Sequence, residues 1–199
     1  MWRIGRDLSQ RRRKVIPQLA KAAIKQLKDL GFNQSHFDVA ISTLEASSAV
    51  SELPASGLDT IEFQFAPNAG EPPRPLRAIA SSGELARVML ALKTVLAEVD
   101  EIPVLVFDEV DANVGGETAG TVGEKMRQIA KQRQVLCITH LAPVAAHAAA
   151  HFVVTKEVRN GRTISEISLL NERDRVTEVA RMLGGQSAAA RRHAEELLK

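Results

Sequence analysis

The chain has 199 residues, of which 45% are apolar and 25% are charged, and its formal net charge is +2. These proportions exclude a wholly disordered protein, and no apolar run approaches the ~18 residues that cross a bilayer, which argues against a transmembrane protein. A secreted protein is not expected either, because the basic N-terminus has no apolar stretch behind it and the only cysteine, Cys137, allows no internal disulfide.

The N-terminal region carries most of the positive charge. Residues 1–30 hold nine of the 26 basic side chains and two of the 24 acidic ones, a balance of +7, whereas the rest of the chain carries −5. Apolar residues recur there mostly every four positions, which predicts an amphipathic helix that ends at Gly31 and either restarts or kinks at Pro17. Its basic surface is typical of a contact with nucleic acid or an acidic partner, or of a solvated helix face.

Two strands and two loops are predicted next. Apolar and polar residues alternate over 37–42 and again over 60–65, as in half-buried strands. The polar stretch between them predicts a loop. A second loop, over 67–75, contains four prolines, so we expect no regular element to cross it.

The centre of the chain predicts an α/β unit. Both of its strands are short apolar runs, which is typical of strands covered on both faces in a parallel sheet. A helix between two such strands implies a right-handed crossover with the strands parallel. The predicted elements are, in order, a helix from Gly83 to Glu98, a strand over 104–107, a helix over about 117–131 and a strand over 134–138.

The last part of the chain predicts a hairpin and two helices. The pair Asn160-Gly161 separates two apolar runs, 152–156 and 163–169, and such a pair is a strong hairpin signal. Helical patterns over 175–183 and 188–198 then follow, separated by two glycines.

Asp108 and Glu109 are the first candidates for chemistry. They follow an apolar strand, and ligands of α/β sheets bind at the carboxyl ends of such strands. Asp108 suits binding of Mg²⁺, and Glu109 suits orienting or deprotonating an attacking water. This is the Walker B pattern with a following catalytic glutamate. The alternative is a pair of solvated acids at a strand end.

Two further segments suit contacts with phosphate. Ser81, Ser82 and Gly83 begin a predicted helix, where small residues let the backbone approach an anion, although Ser81 and Glu84 also fit a capping box. His140 ends the next strand, and neighbouring strand ends lie only ~5–10 Å apart, so its ring could reach a site served by the acid pair. A purely structural histidine remains the alternative, and Asp111 is equally ambiguous alone.

The order of these motifs resembles the C-terminal lobe of an ABC-type ATPase head, with signature motif, Walker B motif, D-loop and switch histidine in succession. Within that superfamily the sequence is most similar to the RecN family of bacterial DNA repair proteins, relatives of the SMC proteins. The likeness extends from about residue 10 to the C-terminus. It is carried by residues 80–87, by 107–111 with Gly115 and Gly116, by 135–141 and by 179–185.

This resemblance implies an α/β fold: the C-terminal lobe of an ABC/SMC-type P-loop ATPase head, with parallel central strands, flanking helices and an N-terminal helix from a coiled-coil stem. We expect residues 1–31 to form a basic helical arm, the return end of the coiled coil, and residues 32–199 to form the lobe. The sequence has no Gly-x-x-x-x-Gly-Lys-Ser/Thr loop. The N-terminal Walker A half of the protein would supply it, and the chain alone is expected to be inactive.

The resemblance also implies a Mg²⁺-dependent ATPase of recombinational double-strand break repair in the bacterial cytoplasm, associated with the nucleoid. Its heads would form a homodimer around ATP, and DNA would be a partner of the whole molecule. The family's signature usually has glycine where this chain has Ser82. The implied roles are Mg²⁺ binding for Asp108, general base for Glu109, γ-phosphate contact for His140, an interface loop for Asp111, and contact with the opposite head's nucleotide for Ser81, Ser82 and Gly83.

Three alternatives stay open on the sequence alone. The chain could be the corresponding lobe of an ABC transporter ATPase, although its basic arm and lack of membrane-coupling features disfavour this. It could be a truncated, non-catalytic dimerisation module, which Ser82 and the missing phosphate loop favour. The third is a small metal-dependent hydrolase that uses Asp108, Asp111 and His140.

Overall fold

The computed structural model describes residues 2–45, 54–159 and 161–199. The chain divides into two compact units, Met1–Asp100 and Glu101–Lys199. The α/β fold class is confirmed, with a long N-terminal helix, a parallel strand pair and flanking helices. The prediction of a boundary at residue 31 stays a prediction.

The first unit begins with helix α1, Trp2–Asp29, which runs through Pro17 without a break. The alternative of a restart at Pro17 is therefore wrong. The predicted end is confirmed: Gly31 has φ 91°, its N–H donates to Lys28, and Phe32 N–H donates to the carbonyl of Leu27 at 3.0 Å. This pair of bonds is a Schellman motif, which needs a left-handed residue at the glycine position.

A three-stranded antiparallel sheet follows, built from β1 (His36–Thr43), β2 (Asp59–Ala66) and β3 (Arg74–Pro75). Strand β3 overlaps the end of the predicted loop, and no regular element crosses the whole of 67–75. It is only two residues long and sits at the sheet edge, which is where a strand tolerates proline. Most of the predicted loop between β1 and β2, residues 46–53, lies outside the described residues.

A turn of 3₁₀ helix, Leu76–Ala78, leads to helix α2, Ser82–Val95, which packs against α1. Apolar side chains of α1, α2 and the sheet form the core of this unit. The Phe32 ring meets Phe65 edge to face at 5.2 Å, and the guanidinium of Arg87 lies 5.0 Å from the Phe32 ring centre. The most deeply buried members include Leu27, Leu30, Phe37, Phe65, Val88 and Leu90.

The second unit contains the predicted strand–helix–strand segment. Strand β4 (Val104–Phe107) and strand β5 (Gln134–Cys137) pair in parallel, and helix α3 (Gly116–Ile129) connects them. Phe107 lies opposite Cys137 in the register, so the two strands end together. The predicted parallel pair is confirmed.

Cover on both faces of this pair was expected, and that expectation is wrong for the described chain. Leu105 and Phe107 are buried, but the opposite face is open: Val106 is 63% exposed and Ile138, just past the end of β5, is 62% exposed. Val104 and Leu136 on the same face are also exposed. Apart from Gln134, both strands are apolar, which is typical of a sheet with cover on both sides.

The rest of the second unit is a hairpin and three helices. After the short helix α4 (Ala142–Ala145), strands β6 (Phe152–Arg159) and β7 (Arg162–Leu169) form the predicted antiparallel hairpin. Gly161 has φ 75°, as a tight hairpin turn requires, and Asn160 lies outside the described residues. Helices α5 (Glu172–Met182) and α6 (Ala188–Leu197) pack with Ala142 around buried Val179, Ala180 and Ala194.

Across the described residues, no helix combines the length and apolar character that a membrane span requires.

Candidate functional site

The carboxyl ends of β4 and β5 place the predicted site residues at one edge of the parallel pair. The N–H of Ile138 donates to the carbonyl of Phe107 at 3.0 Å, which extends the pairing one residue past β5. Asp108 therefore leaves one strand end where Thr139 and His140 leave the other. The sequence prediction that these side chains share an edge agrees with this register.

The acid pair sits on an exposed turn. Asp108 and Glu109 are both exposed, and the N–H of Ala112 donates to the carbonyl of Glu109 at 3.0 Å. Glu109 has φ 57°, in the left-handed region that side-chain-bearing residues rarely adopt. Such a conformation costs roughly 1–2 kcal/mol and is found most often at functional sites. The turn therefore exposes Glu109 to solvent in a backbone conformation that is energetically unfavourable.

Asp111 lies under the turn and joins the two strand ends. Its side chain is 3% exposed and accepts hydrogen bonds from the Thr139 hydroxyl and from the backbone N–H of His140, the latter at 3.2 Å. The same carboxylate oxygen, Oδ2, lies 3.4 Å from Nδ1 of His140. The His140 ring itself is 73% exposed, so its other nitrogen, Nε2, is left to solvent.

Burial and two of these carboxylates together raise the pKa of the neighbouring Cys137 thiol. The pKa of the Cys137 thiol is raised to about 12, first by burial and then by the negative charges of Asp111 and Asp108. The edge is thus a region of negative potential. A cation would be attracted to this edge. An anion such as a nucleotide phosphate would need a bound cation in order to lie there.

Asp108 is the residue best placed to hold Mg²⁺. This ion is commonly held by one or two carboxylates, several waters and the substrate's phosphates, so an exposed carboxylate beside a second acid fits its chemistry. Among the described residues, no cluster of three or more His, Cys, Asp or Glu side chains is arranged to hold a metal ion. Asp108, Asp111 and His140 therefore do not form the metal cage that the hydrolase alternative needs.

The signature segment belongs to the first unit. Ser81 is the N-cap of α2, and its hydroxyl accepts from the N–H of Glu84 at 3.3 Å, which confirms the capping role. Ser82 is exposed in the first turn and Gly83 is buried. The remaining N–H groups of this helix N-terminus keep the positive partial charge that favours a phosphate.

Two contributors to the second unit's edge were missed by the sequence analysis. Thr139 had no predicted role from the sequence, yet its hydroxyl donates to Asp111 and accepts from Leu141 N–H at 3.0 Å. Arg175 of α5 donates to the carbonyls of Ala145 and Ala146, at the end of the helix that follows His140. Neither pairing leaves a periodic signal in the sequence, because both depend on residues about 30 positions apart.

Comparison with known proteins decides the family. No protein-family model matches the chain. However, DNA repair protein RecN of Treponema pallidum is 46% identical over 197 residues, covering 98% of this chain and 34% of that protein. RecN of Deinococcus radiodurans is 42% identical over 199 residues, covering 100% and 34%, and RecN of Bacillus subtilis is 36% identical over 204 residues, covering 97% and 35%. The chain belongs to the RecN family.

The chain spans about a third of the length of the RecN proteins it matches, and it corresponds to their C-terminal part. The likeness to the Deinococcus RecN covers the entire chain, so the expectation that it would start near residue 10 is wrong. These relatives favour the DNA repair interpretation over the transporter interpretation.

Solved structures support the fold of this RecN segment. An Smc head domain with a coiled coil and joint from Pyrococcus yayanosii matches with a TM-score of 0.53 and 20% identity, covering 91% of this chain and 29% of that one. An Smc head with an extended coiled coil from Pyrococcus furiosus, solved bound to the C-terminal domain of ScpA, matches with 0.52 and 19%, covering 83% and 37%. At this identity the likeness shows the fold: that of an Smc head domain.

Proposed function

We propose that the chain is the C-terminal part of the ATP-hydrolysing head of a RecN-type protein that acts in recombinational double-strand break repair. One observation carries the proposal: Asp108, Glu109 and His140 come together at the carboxyl edge of a parallel pair, with Asp111 beneath them. Relatives that align along almost the whole chain are DNA repair proteins. The proposal places this protein in the bacterial cytoplasm, associated with the nucleoid.

The exposed acids suit phosphoryl transfer to water. Asp108 would hold Mg²⁺, and the ion would supply neutralisation of the charge on the phosphates. Glu109 takes a proton from the attacking water, and its exposed position leaves room for that water and the substrate. His140 contacts the γ-phosphate through its exposed ring. Asp111 lies in the loop that the family resemblance places near the interface between heads.

The signature segment serves a second copy of the head. Ser81, Ser82 and Gly83 stand at the N-terminus of α2, where free N–H groups favour a phosphate. In a homodimer closed by ATP, they contact the nucleotide held by the opposite head. A site divided between two copies suits this reaction, because its catalysis depends on positioning and charge stabilisation.

The second unit is built to receive the N-terminal Walker A half. A two-stranded parallel sheet rarely stands alone, and parallel sheets are normally covered on both faces, yet one face of β4–β5 is open. One face of the β6–β7 hairpin is also apolar and exposed. Its members are Phe152, Val154, Val158, Ile167 and Leu169. These surfaces match a larger sheet whose other strands and covering helices come from that half.

Helix α1 is the return end of a coiled-coil stem in this proposal, with residues 1–31 as the arm and 32–199 as the lobe. Its 28 residues span ~42 Å at 1.5 Å each. The end near Ala23 and Leu27 is buried in the first unit, whereas most basic side chains of the helix are exposed. That basic surface is available to DNA bound by the whole molecule.

Reconstitution in trans tests the proposed function. The 199-residue chain is mixed with a separately purified N-terminal half of a RecN protein, and Mg²⁺-dependent ATP hydrolysis is measured. We expect no turnover from the chain alone, recovery with both parts, and a loss of 10²- to 10⁴-fold, on the order of what a general base contributes, with Glu109→Gln. That variant should still dimerise when ATP is added.

Two outcomes would contradict the proposal. Turnover by the chain alone that Glu109→Gln abolishes would show a complete site without the Walker A half. Formation of a stable complex of both parts with neither turnover nor ATP-dependent dimerisation would leave only a structural role.

A further inference from the structure

Asp111 is the one carboxylate at the strand edge that is turned inward. It is 2% exposed, while Asp108 and Glu109 beside it are exposed. A buried carboxylate is costly unless hydrogen bonds satisfy it, and the partners of Asp111 all come from the end of β5. They are the Thr139 hydroxyl, the His140 N–H and, at 3.4 Å, the His140 ring nitrogen Nδ1.

The contact with Nδ1 fixes which ring nitrogen faces outward. An ionised carboxylate only accepts hydrogen bonds, so the proton of a neutral His140 ring belongs on Nδ1. Nε2, on the far side of the ring, then faces solvent, in agreement with the 73% exposure of the side chain. At 3.4 Å the contact is long, but such bonds commonly tighten when a substrate binds.

We propose that Asp111 is a positioning residue for His140, which sets the orientation and tautomer of the imidazole so that Nε2 is presented to the γ-phosphate, and that it acts on the nucleotide only through His140. This inference rests on the proposed function. The burial of Asp111 carries it, because a carboxylate that is enclosed and already engaged by three groups has no free surface for a nucleotide.

Thr139 separates the two tasks that Asp111 performs. The bonds to the Thr139 hydroxyl and the His140 N–H hold the backbone at the strand end, whereas only the Nδ1 contact orients the ring. Thr139→Val removes one of the two hydrogen bonds that hold the backbone and leaves the Nδ1 contact. All three groups face the same oxygen, Oδ2, so Asp111→Ala removes the acceptor that they share, whereas Asp111→Asn can keep an amide oxygen at that position.

The tautomer is measured directly by ¹⁵N NMR of histidine in the 199-residue chain, at about pH 8.5, where an ordinary imidazole is neutral. We expect the native chain and Asp111→Asn to carry the proton on Nδ1 of His140, and Asp111→Ala to shift it towards Nε2. Thr139→Val should leave it on Nδ1. His147 is an internal reference, since its Nδ1 lies 2.8 Å from the carbonyl of Pro143, away from the substitutions.

Turnover of the complete head provides the second measurement. Asp111→Ala should lower kcat about 10- to 100-fold, as the loss of an orienting partner typically does, with little change in KM. In a His140→Ala background the same substitution should cost nothing more, because both changes remove one function.

The outcomes distinguish this inference from the proposed function. If the His140 tautomer is the same in the native chain and in Asp111→Ala, or if Asp111→Ala and His140→Ala are additive in kcat, Asp111 does not act through His140. If the tautomer changes as expected but the reconstituted head hydrolyses no ATP, the proposed function fails and the orienting contact stands.

Discussion

The two units of the chain differ in how far their large apolar side chains are buried. In the first unit Leu27, Phe37 and Phe65 of α1, β1 and β2 are almost fully buried, although Val15 and Ile61 of the same elements are exposed. In the second unit Val106, Ile138 and one face of the β6–β7 hairpin point to solvent. The first unit has a core of its own, whereas the second has strands with one face open.

The largest expected effect concerns the core of the first unit. Phe37→Ala should lower the free energy of unfolding of this unit by about 3–5 kcal/mol, because it empties a fully buried site. Ile61→Ala, in the paired strand but 45% exposed, is the matched control and should change it by about 0.5 kcal/mol or less. Urea unfolding measures both. Equal losses would mean that the sheet is not the core described.

The open face of the second unit should respond in the opposite manner. Val106→Lys should leave the stability of the chain alone within about 0.5 kcal/mol, since the side chain is already exposed. It should weaken binding of the N-terminal half by about 100-fold, or about 2.7 kcal/mol, because binding would bury an unpaired ammonium. Titration calorimetry compares it with Val99→Lys, another exposed valine, which should bind normally. Unchanged affinity of Val106→Lys would show that this face is not the docking surface.

A buried carboxylate in the first unit gives a pH-dependent effect. Burial would raise the pKa of Asp59, but hydrogen bonds from Ser9, Thr43 and Arg12, together with the Arg12 charge, outweigh it and hold the pKa below its ordinary value of 3.8. Asp59→Asn should cost about 2 kcal/mol at neutral pH, the scale of hydrogen bonds to a charged group. The pKa is depressed on folding, so this contribution is present above about pH 4 and is lost as the pH falls through the lowered value.

Unfolding at pH 7 and at about pH 3 tests this dependence. The difference between the native chain and Asp59→Asn should shrink at the lower pH. Asp38→Asn, at an exposed position of β1, should show little difference at either pH. A difference that grew on acidification would reverse the assigned sign of the pKa shift.

The smallest expected effect is a gain in the second unit. Glu109→Gly should stabilise the chain by about 0.5–1 kcal/mol, because glycine adopts φ 57° without the steric cost that glutamate bears. The same change in the first turn of α3, Glu117→Gly, should destabilise by about 1 kcal/mol. Thermal unfolding separates the signs. A loss at position 109 would mean that the turn is not strained.

The sequence predicted features that depend on local patterns, such as the hairpin around Gly161 and the cap at Ser81. It also predicted that the acid pair and His140 lie at a common edge, because the carboxyl ends of parallel strands meet there. It left open whether α1 restarts at Pro17 or runs through it as a longer helix, because tertiary packing of a long helix can outweigh the lost hydrogen bond. It did not predict the inward turn of Asp111 towards Thr139, which depends on two loops meeting at the sheet edge.

The open face of β4–β5 was missed for a different reason. In the described chain β4 and β5 form a two-stranded parallel pair with one open face. Under the proposed function, the N-terminal half completes this sheet, and the apolar character of Val106 and Leu136 fits that covered position.

The raised pKa of Cys137 has a practical consequence for following this protein by chemical labelling. With a pKa of about 12, on the order of one thiol in 10⁵ is ionised at neutral pH, and only the thiolate reacts readily with maleimides or iodoacetamide. Because Cys137 is the only cysteine in the sequence, the chain should react very slowly with such reagents. A single cysteine introduced at an exposed position would carry a fluorophore selectively, without removal of the native one.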